Sequence, residues 1–181
     1  MELLAEPFFW KIIIFLWLPL IAADNGGGVA KLLHAPLCDT TVSFRYLGPN
    51  KTVAAYYVGP VLAFIVLYAE YLLVDGDVSL GQKISIATIV GIAVVSGDHI
   101  KSFIKRRLGI SPGAPWVPWD QIDYAIGGCL GYHIAWSYFD YEWELWNYEW
   151  LVFLSIAVLA AITKPIGNYL SFLAGLRRDR W

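Results

Sequence analysis

Residues 53–74 read VAAYYVGPVLAFIVLYAEYLLV, and residues 84–104 read ISIATIVGIAVVSGDHIKSFI. The first is 22 residues long and carries one charge; the second stays apolar to Gly97 and turns polar at Asp98. About 20 mostly apolar residues in helical conformation cross the roughly 30 Å of hydrocarbon in a bilayer. Both stretches have that length, and neither alternates with the period of two that a barrel strand requires. Three further stretches read the same way: 8–22, interrupted by Lys11 and Pro19; 122–139; and 150–173, apolar to Thr163. Residues 8–22 lack the small-residue cleavage site of a signal peptide, and Lys11 lies inside the apolar run rather than ahead of it. The expectation is an all-α integral membrane protein of five transmembrane helices, forming a single membrane domain over residues 1–181.

Composition agrees. Of 181 residues, 58% are apolar and 15% charged, against roughly 25% charged in an ordinary soluble domain. Such a chain lacks the polar residues to cover a water-soluble globule. It also fits neither a disordered segment nor a nucleic-acid-binding arm. The two cysteines, Cys38 in a polar connection and Cys129 in an apolar run, do not suggest a disulfide.

Five spans place the termini on opposite sides. Residues 23–52, 98–121 and 164–181 hold 11 of the 13 Lys and Arg, leaving only Lys11 and Lys83 for the other side. By the positive-inside bias, the C-terminus is cytoplasmic and the N-terminus outside, in the plasma membrane. The aromatic cluster Trp136, Tyr138, Tyr141, Trp143, Trp146, Tyr148 and Trp150 then fits a belt at the outer interface. Cytoplasmic loops of about 23–52 and 105–121 are longer and more polar than the outer ones, which makes the inner face the working face.

Polar residues gather at that inner edge. Asp98, Ser102, Lys105 and Arg106 share one helical face at the end of the third span. Snorkelling to lipid headgroups accounts for Lys101 and Arg107, but not for Asp98, the member nearest the hydrocarbon. An ionisable group at that depth is a functional candidate. Asp120 and Asp123 open the fourth span three residues apart; helix capping is the plain alternative for them. The Gly127–Gly131 pair continues their face and admits a close neighbour. If that neighbour is the third span, packed through Gly91, then Asp98 and Asp123 converge. Two glycine-containing turns, DNGGG at 24–28 and GPNKT at 48–52, lie on the same side and can present amides, Lys51 and Thr52 to an anion. Carboxylates hold Mg²⁺, and Ser, Lys and Arg hold phosphates. No P-loop, dinucleotide fingerprint or zinc-type cluster is present in the sequence.

SGDHIKSFIKRRLG (96–109) followed by PWVPWDQIDYAIGG (115–128) resembles the membrane cytidylyltransferases that make CDP-activated lipids. The likeness is strongest to the archaeal CDP-archaeol synthases. The family's S-x-x-K-R and D-x-x-D elements match Ser102, Lys105, Arg106, Asp120 and Asp123. Asn25 with Gly26–Gly28, the turn from Gly48 to Thr52, and Asn168, Phe172, Gly175 and Leu176 resemble further elements of the archaeal branch. Where relatives carry Trp-Arg-Gly after the Lys-Thr, this chain has Val53, Ala54 and Ala55.

The resemblance implies that a lipid phosphate attacks the α-phosphate of CTP, giving CDP-lipid and pyrophosphate with Mg²⁺ as cofactor. The lipid implied is the unsaturated ether lipid digeranylgeranylglyceryl phosphate. It further implies Asp98 and Asp123 as main metal ligands with Asp120 beside them. Lys105, Arg106 and Ser102 would bind the triphosphate, and Asn50, Lys51 and Thr52 would hold the nucleotide. The isoprenoid chains would enter between helices at Gly91, Gly127 and Gly131. Partners are thus CTP, the lipid phosphate and the bilayer, with no nucleic acid; the oligomeric state is not legible. A diacyl phosphatidate as substrate is the nearest alternative. A transporter would carry ionisable groups at mid-membrane and often repeated halves; a lipid-binding subunit would need no Asp98 or Asp123.

Overall fold

A computed structural model describes residues 7–73, 78–139 and 149–173. The described residues form seven helices: α1 (Pro7–Asp24), α2 (Gly26–Leu32), α3 (Phe44–Leu47), α4 (Ala55–Leu73), α5 (Leu80–Arg107), α6 (Trp119–Tyr138) and α7 (Glu149–Leu173). The five long helices coincide with the five expected stretches. Three of them, Ala55–Leu73, Leu80–Arg107 and Trp150–Tyr169, are long and apolar enough to cross a membrane. A fourth joins them if Phe9–Asp24 and Gly26–Leu32, bent by 47° at Asn25, count as one span. Helix α6 has the length but carries Asp120, Asp123 and a run of glycines, which lower its hydropathy.

The bundle is apolar inside and out. Phe9, Ile13, Leu16 and Leu20 form a buried stripe on α1, Ile86, Val90 and Val94 on α5, and Val152, Ile156 and Ala160 on α7. Their outward neighbours are equally apolar: Val61 and Ile65 on α4, Ile92 and Ile100 on α5, Ile126 and Leu130 on α6, and Val158 and Ile162 on α7 are all exposed. A helix apolar on both faces suits lipid on one side and a core on the other.

Helix α5 is the central element, packing most extensively on α6 and then α4. Its contact with α6 is backbone on backbone. A Cβ on Gly127 would stand 2.4 Å from the Ala93 carbonyl oxygen, and one on Gly97 would stand 2.8 Å from the Asp123 carbonyl oxygen. The expected close approach of α5 to the Gly127–Gly131 pair is therefore present, but it runs through Ala93 and Gly97. Gly91 turns the other way, onto Pro60 of α4, whose Cα a Cβ there would meet at 2.5 Å. None of Gly91, Gly127 and Gly131 leaves a gap for lipid chains, because neighbouring atoms of the bundle fill each space.

The expected glycine turn at 24–28 is largely helical. Asn25 donates its side-chain amide to the Ile21 carbonyl at 2.7 Å, and α2 resumes at Gly26, where a Cβ would stand 2.6 Å from the Gly59 nitrogen. The 48–52 turn is a true loop. Gly48 takes φ +92°, and the strand-like stretch after it pairs with 40–42: Val42 N–H donates to the Lys51 carbonyl at 2.8 Å and Val53 N–H to the Thr40 carbonyl at 2.9 Å.

Of the expected aromatic belt, Tyr138 and Trp150 are exposed, whereas Trp136 is buried and stacked on Tyr132. Tyr141, Trp143, Trp146 and Tyr148 lie outside the described residues, as do Gly175 and Leu176. Cys38 and Cys129 are both buried, and neither is in a disulfide.

Candidate active site

Where α5 meets α6, Asp98 and Asp123 face each other across the glycine contact, and Asp120 joins them one helical turn before Asp123. Asp98 and Asp120 are partly buried; the Asp123 side chain is only 2% exposed. Buried carboxylates persist as anions only when paired, and here each is paired with lysine. Lys101 Nζ lies 3.1 Å from Asp98, 3.2 Å from Asp120 and 2.6 Å from Asp123. Lys51, from the 48–52 loop, holds the other oxygen of Asp98. Lys105 holds Asp120 at 2.8 Å and donates to the Ala114 carbonyl at 2.6 Å. Lys164, from α7, bridges Asp123 at 2.7 Å and Asp24 at 3.2 Å. Four carboxylates and four lysines from α1, the 48–52 loop, α5, α6 and α7 thus form one continuous cluster.

Asp120 serves two structures at once. Its carboxylate accepts from the Trp116 amide just ahead of α6 and from Lys105. Burial opposes its ionisation, but the Lys105 hydrogen bonds and the Lys101 charge outweigh that and hold its carboxyl below the ordinary carboxylate range. Asp120 does not cap α6, whose N-cap is Pro118 with no side-chain cap hydrogen bond; the Trp116 amide belongs to the loop ahead of the helix. Asp123, three residues further on, makes no cap; both of its oxygens go to lysines of other helices.

The cluster forms one wall of a cavity of about 930 Å³, in the size range of small-molecule sites. Lys31, Lys51, Lys101, Lys105, Arg106 and Lys164 line it, against the carboxylates Asp24, Asp98 and Asp120. Asp123, just behind the wall, pairs with two of these lysines, so six cations against the four acids of the cluster leave an excess of two positive charges for a bound anion. Arg106 is the most available donor: its Nε and Nη1 are buried without a hydrogen-bond partner among the described residues. Such donors carry a desolvation cost of about 1–3 kcal/mol until something accepts from them. Ser102, Asn50 and Thr52 also line the cavity, and the buried Thr52 hydroxyl lacks a partner too. All nine residues expected from the sequence therefore belong to the cluster or line the cavity beside it.

Three residues of the cluster were not legible as site residues. Lys101 does not snorkel to a lipid surface; its side chain is 13% exposed and points among the acids. Asp24 and Lys164 come from α1 and α7, 140 positions apart, and meet only in the folded bundle. The spacing Asp98, Lys101, Ser102, Lys105 would have placed Lys101 on the site face had its charge been set against three nearby acids. Nothing local to Asp24 or Lys164 carries that signal.

Among the described residues no group of three or more His, Cys, Asp and Glu side chains forms a ready metal site. Asp98, Asp120 and Asp123 instead direct one oxygen each at the Lys101 ammonium. The donor set is of the kind a hard divalent cation such as Mg²⁺ takes, all carboxylate oxygen. It already encloses a positive charge, the Lys101 ammonium.

Residues 14–181 match the family model described as CDP-archaeol synthase, CarS-like. A CDP-archaeol synthase of Methanospirillum hungatei is 31% identical over 164 residues, covering 88% of this chain and 94% of that protein. One from Methanopyrus kandleri is 28% identical over 137 residues, covering 76% and 72%. One from Pyrococcus horikoshii is 36% identical over 92 residues, about half of each chain. No solved structure matches.

Proposed function

This chain belongs to the CDP-archaeol synthase family and is a CTP-using cytidylyltransferase, and we propose that the cavity beside the lysine–carboxylate cluster is where it transfers CMP from CTP to a lipid phosphate. The lipid is an unsaturated archaeal ether-lipid phosphate, digeranylgeranylglyceryl phosphate, and the products are CDP-archaeol and pyrophosphate. The observation that carries this is the cavity wall itself: six cations, among them Arg106 with Nε and Nη1 unpartnered among the described residues, over three partly buried acids.

The chemistry suits that wall. A phosphate oxygen of the lipid forms a bond to the α-phosphorus of CTP as the α–β bridging oxygen leaves with pyrophosphate. The nucleophile is already an anion, so no strong base is required. The barrier lies in bringing two anions together and in charge growing on the leaving group, and fixed cations lower both. Arg106, with open donors, and Lys105, held by Asp120 and the Ala114 carbonyl, bind the triphosphate, with Ser102 beside them. Asn50, Lys51 and Thr52 hold the nucleotide from the loop side. Asp98 and Asp123, with Asp120, would hold Mg²⁺, which would supply neutralisation of phosphate charge.

Five spans, an outer N-terminus and a cytoplasmic C-terminus complete the proposal. They put the cavity at the cytosolic edge of the plasma membrane, where a water-soluble nucleotide and a lipid headgroup meet. The 11 basic residues on that side support the orientation.

An endpoint assay tests the reading. Purified protein in detergent receives labelled CTP, Mg²⁺ and digeranylgeranylglyceryl phosphate, with phosphatidic acid in a parallel reaction and Asp98→Asn as control. Labelled lipid and pyrophosphate from the ether lipid alone, lost in D98N, is the expected result. Product from phosphatidic acid alone would keep the chemistry and overturn the substrate. No product from either in folded protein would overturn both.

A further inference from the structure

Lys101 has a position the transfer chemistry does not require. Each acid of the Asp98, Asp120, Asp123 trio has a lysine of its own: Lys51 on Asp98, Lys105 on Asp120 and Lys164 on Asp123. Lys101 is the fourth, and it touches all three, at 3.1, 3.2 and 2.6 Å. Its ammonium therefore stands at the one point on which oxygens from α5 and α6 converge. That point is also where a divalent ion held by the trio belongs, and two cations cannot share it. Lys101 lines the cavity, and its four flexible methylenes give the ammonium a path away from the acids.

We infer that Lys101 is a tethered stand-in for the divalent cation. In the free enzyme its ammonium holds the three acids together and excludes metal that arrives without nucleotide. When metal arrives with the nucleotide, Lys101 swings into the cavity, where a phosphate oxygen replaces the carboxylates as its acceptor. The phosphates offer the displaced ammonium a new partner; metal alone does not. Metal binding is thereby made conditional on nucleotide. This inference rests on Asp98, Asp120 and Asp123 being the metal-holding acids.

The test is Mn²⁺ binding to the full chain in detergent, read by the electron paramagnetic resonance signal of free Mn²⁺, with no nucleotide present. Lys101→Met should bind Mn²⁺ about 5- to 150-fold more tightly than wild type, the usual span of coupling between two competing events. Lys101→Arg, which keeps a cation, should stay close to wild type. Adding CTP should strengthen Mn²⁺ binding to wild type more than to K101M. Should K101M fail to fold, Lys101→Gln removes the charge while still donating to a carboxylate and gives the same comparison. If K101M and K101Q bind Mn²⁺ no more tightly than wild type, while Asp123→Asn weakens binding, the stand-in role is wrong and the metal site stands. If Asp123→Asn leaves Mn²⁺ binding unchanged, the acids do not hold the metal and the inference falls with that reading.

Discussion

Replacing Gly127 by alanine probes the contact that brings the two halves of the site together. The added Cβ would stand 2.4 Å from the Ala93 carbonyl oxygen, 3.1 Å from the Ala93 carbonyl carbon and 3.3 Å from Gly97 Cα. The closest of these is 0.6 Å inside the 3.0 Å below which real Cβ atoms are essentially never found, and all three partners are backbone. No side chain can rotate away, so α5 and α6 must separate. Overpacking of this kind costs about 1–3 kcal/mol, and a backbone clash belongs near the upper end. Alanine recovers about 1 kcal/mol of helix propensity over glycine, leaving a net loss of about 2 kcal/mol. For a chain of this size that lowers the unfolding temperature by roughly 4–8 °C.

Gly167→Ala is the matched control, because nothing lies within 4 Å of its added Cβ; it should unfold at or slightly above the wild-type temperature. Separation of the helices also stretches the 2.6 Å contact between Lys101 on α5 and Asp123 on α6. Displacements approaching 1 Å in a reacting constellation can lower rate by about 10²-fold, so G127A should lose about 10- to 100-fold in CMP transfer. Thermal unfolding in detergent and the endpoint assay read the two effects. G127A unfolding as high as G167A, with full activity, would refute the backbone contact as the element that assembles the site.

Further outcomes are open to direct test. Arg106→Gln should lower kcat/KM for CTP by about 10- to 100-fold, the worth of one charge-assisted hydrogen bond, with no fall in unfolding temperature, because among the described residues Arg106 Nε and Nη1 have no partner to lose; marked destabilisation would make it a structural residue instead. In cells, a membrane-impermeant maleimide should label Lys83→Cys from outside and Ser111→Cys only after permeabilisation, and the reverse pattern would invert the topology. The carboxyl of Asp120 lies below its ordinary range when folded. Its contribution is therefore full above about pH 4, the unfolded value, and is lost as pH falls through the lower folded value. The stability gap between wild type and Asp120→Asn should accordingly shrink at low pH, and a gap that widens would contradict the pairing with Lys105 and Lys101.

Most of the architecture is written in local hydropathy, and the ends of the helices follow from it. The stretch 122–139 becomes Trp119–Tyr138 and 53–74 becomes Ala55–Leu73. The acids and cations of 98–123 are legible for the same reason, since one helical face and one turn bring them together. What local pattern cannot give is which partner a glycine meets. Gly91 lies on the expected face of α5 but packs on Pro60, and its spacing from Asp98 is silent on that choice. Nor can it pair Asp24 with Lys164, whose contact depends on how α1 and α7 close around α6. Lys101 is different: its i, i+3 spacing from Asp98 held the signal, and only burial distinguishes a snorkelling lysine from one enclosed by acids.

The most direct test of the central claim is CMP transfer by Asp123→Asn, measured with labelled CTP and digeranylgeranylglyceryl phosphate in protein shown by thermal unfolding to be folded. Asp123 joins α5, α6 and α7 through Lys101 at 2.6 Å and Lys164 at 2.7 Å. If the lysine–carboxylate cluster is the transfer site, the variant should lose about 10²- to 10³-fold or more in rate, the scale of removing one group from a preorganised electrostatic site. Transfer by folded D123N at the wild-type rate would place the chemistry elsewhere in the molecule.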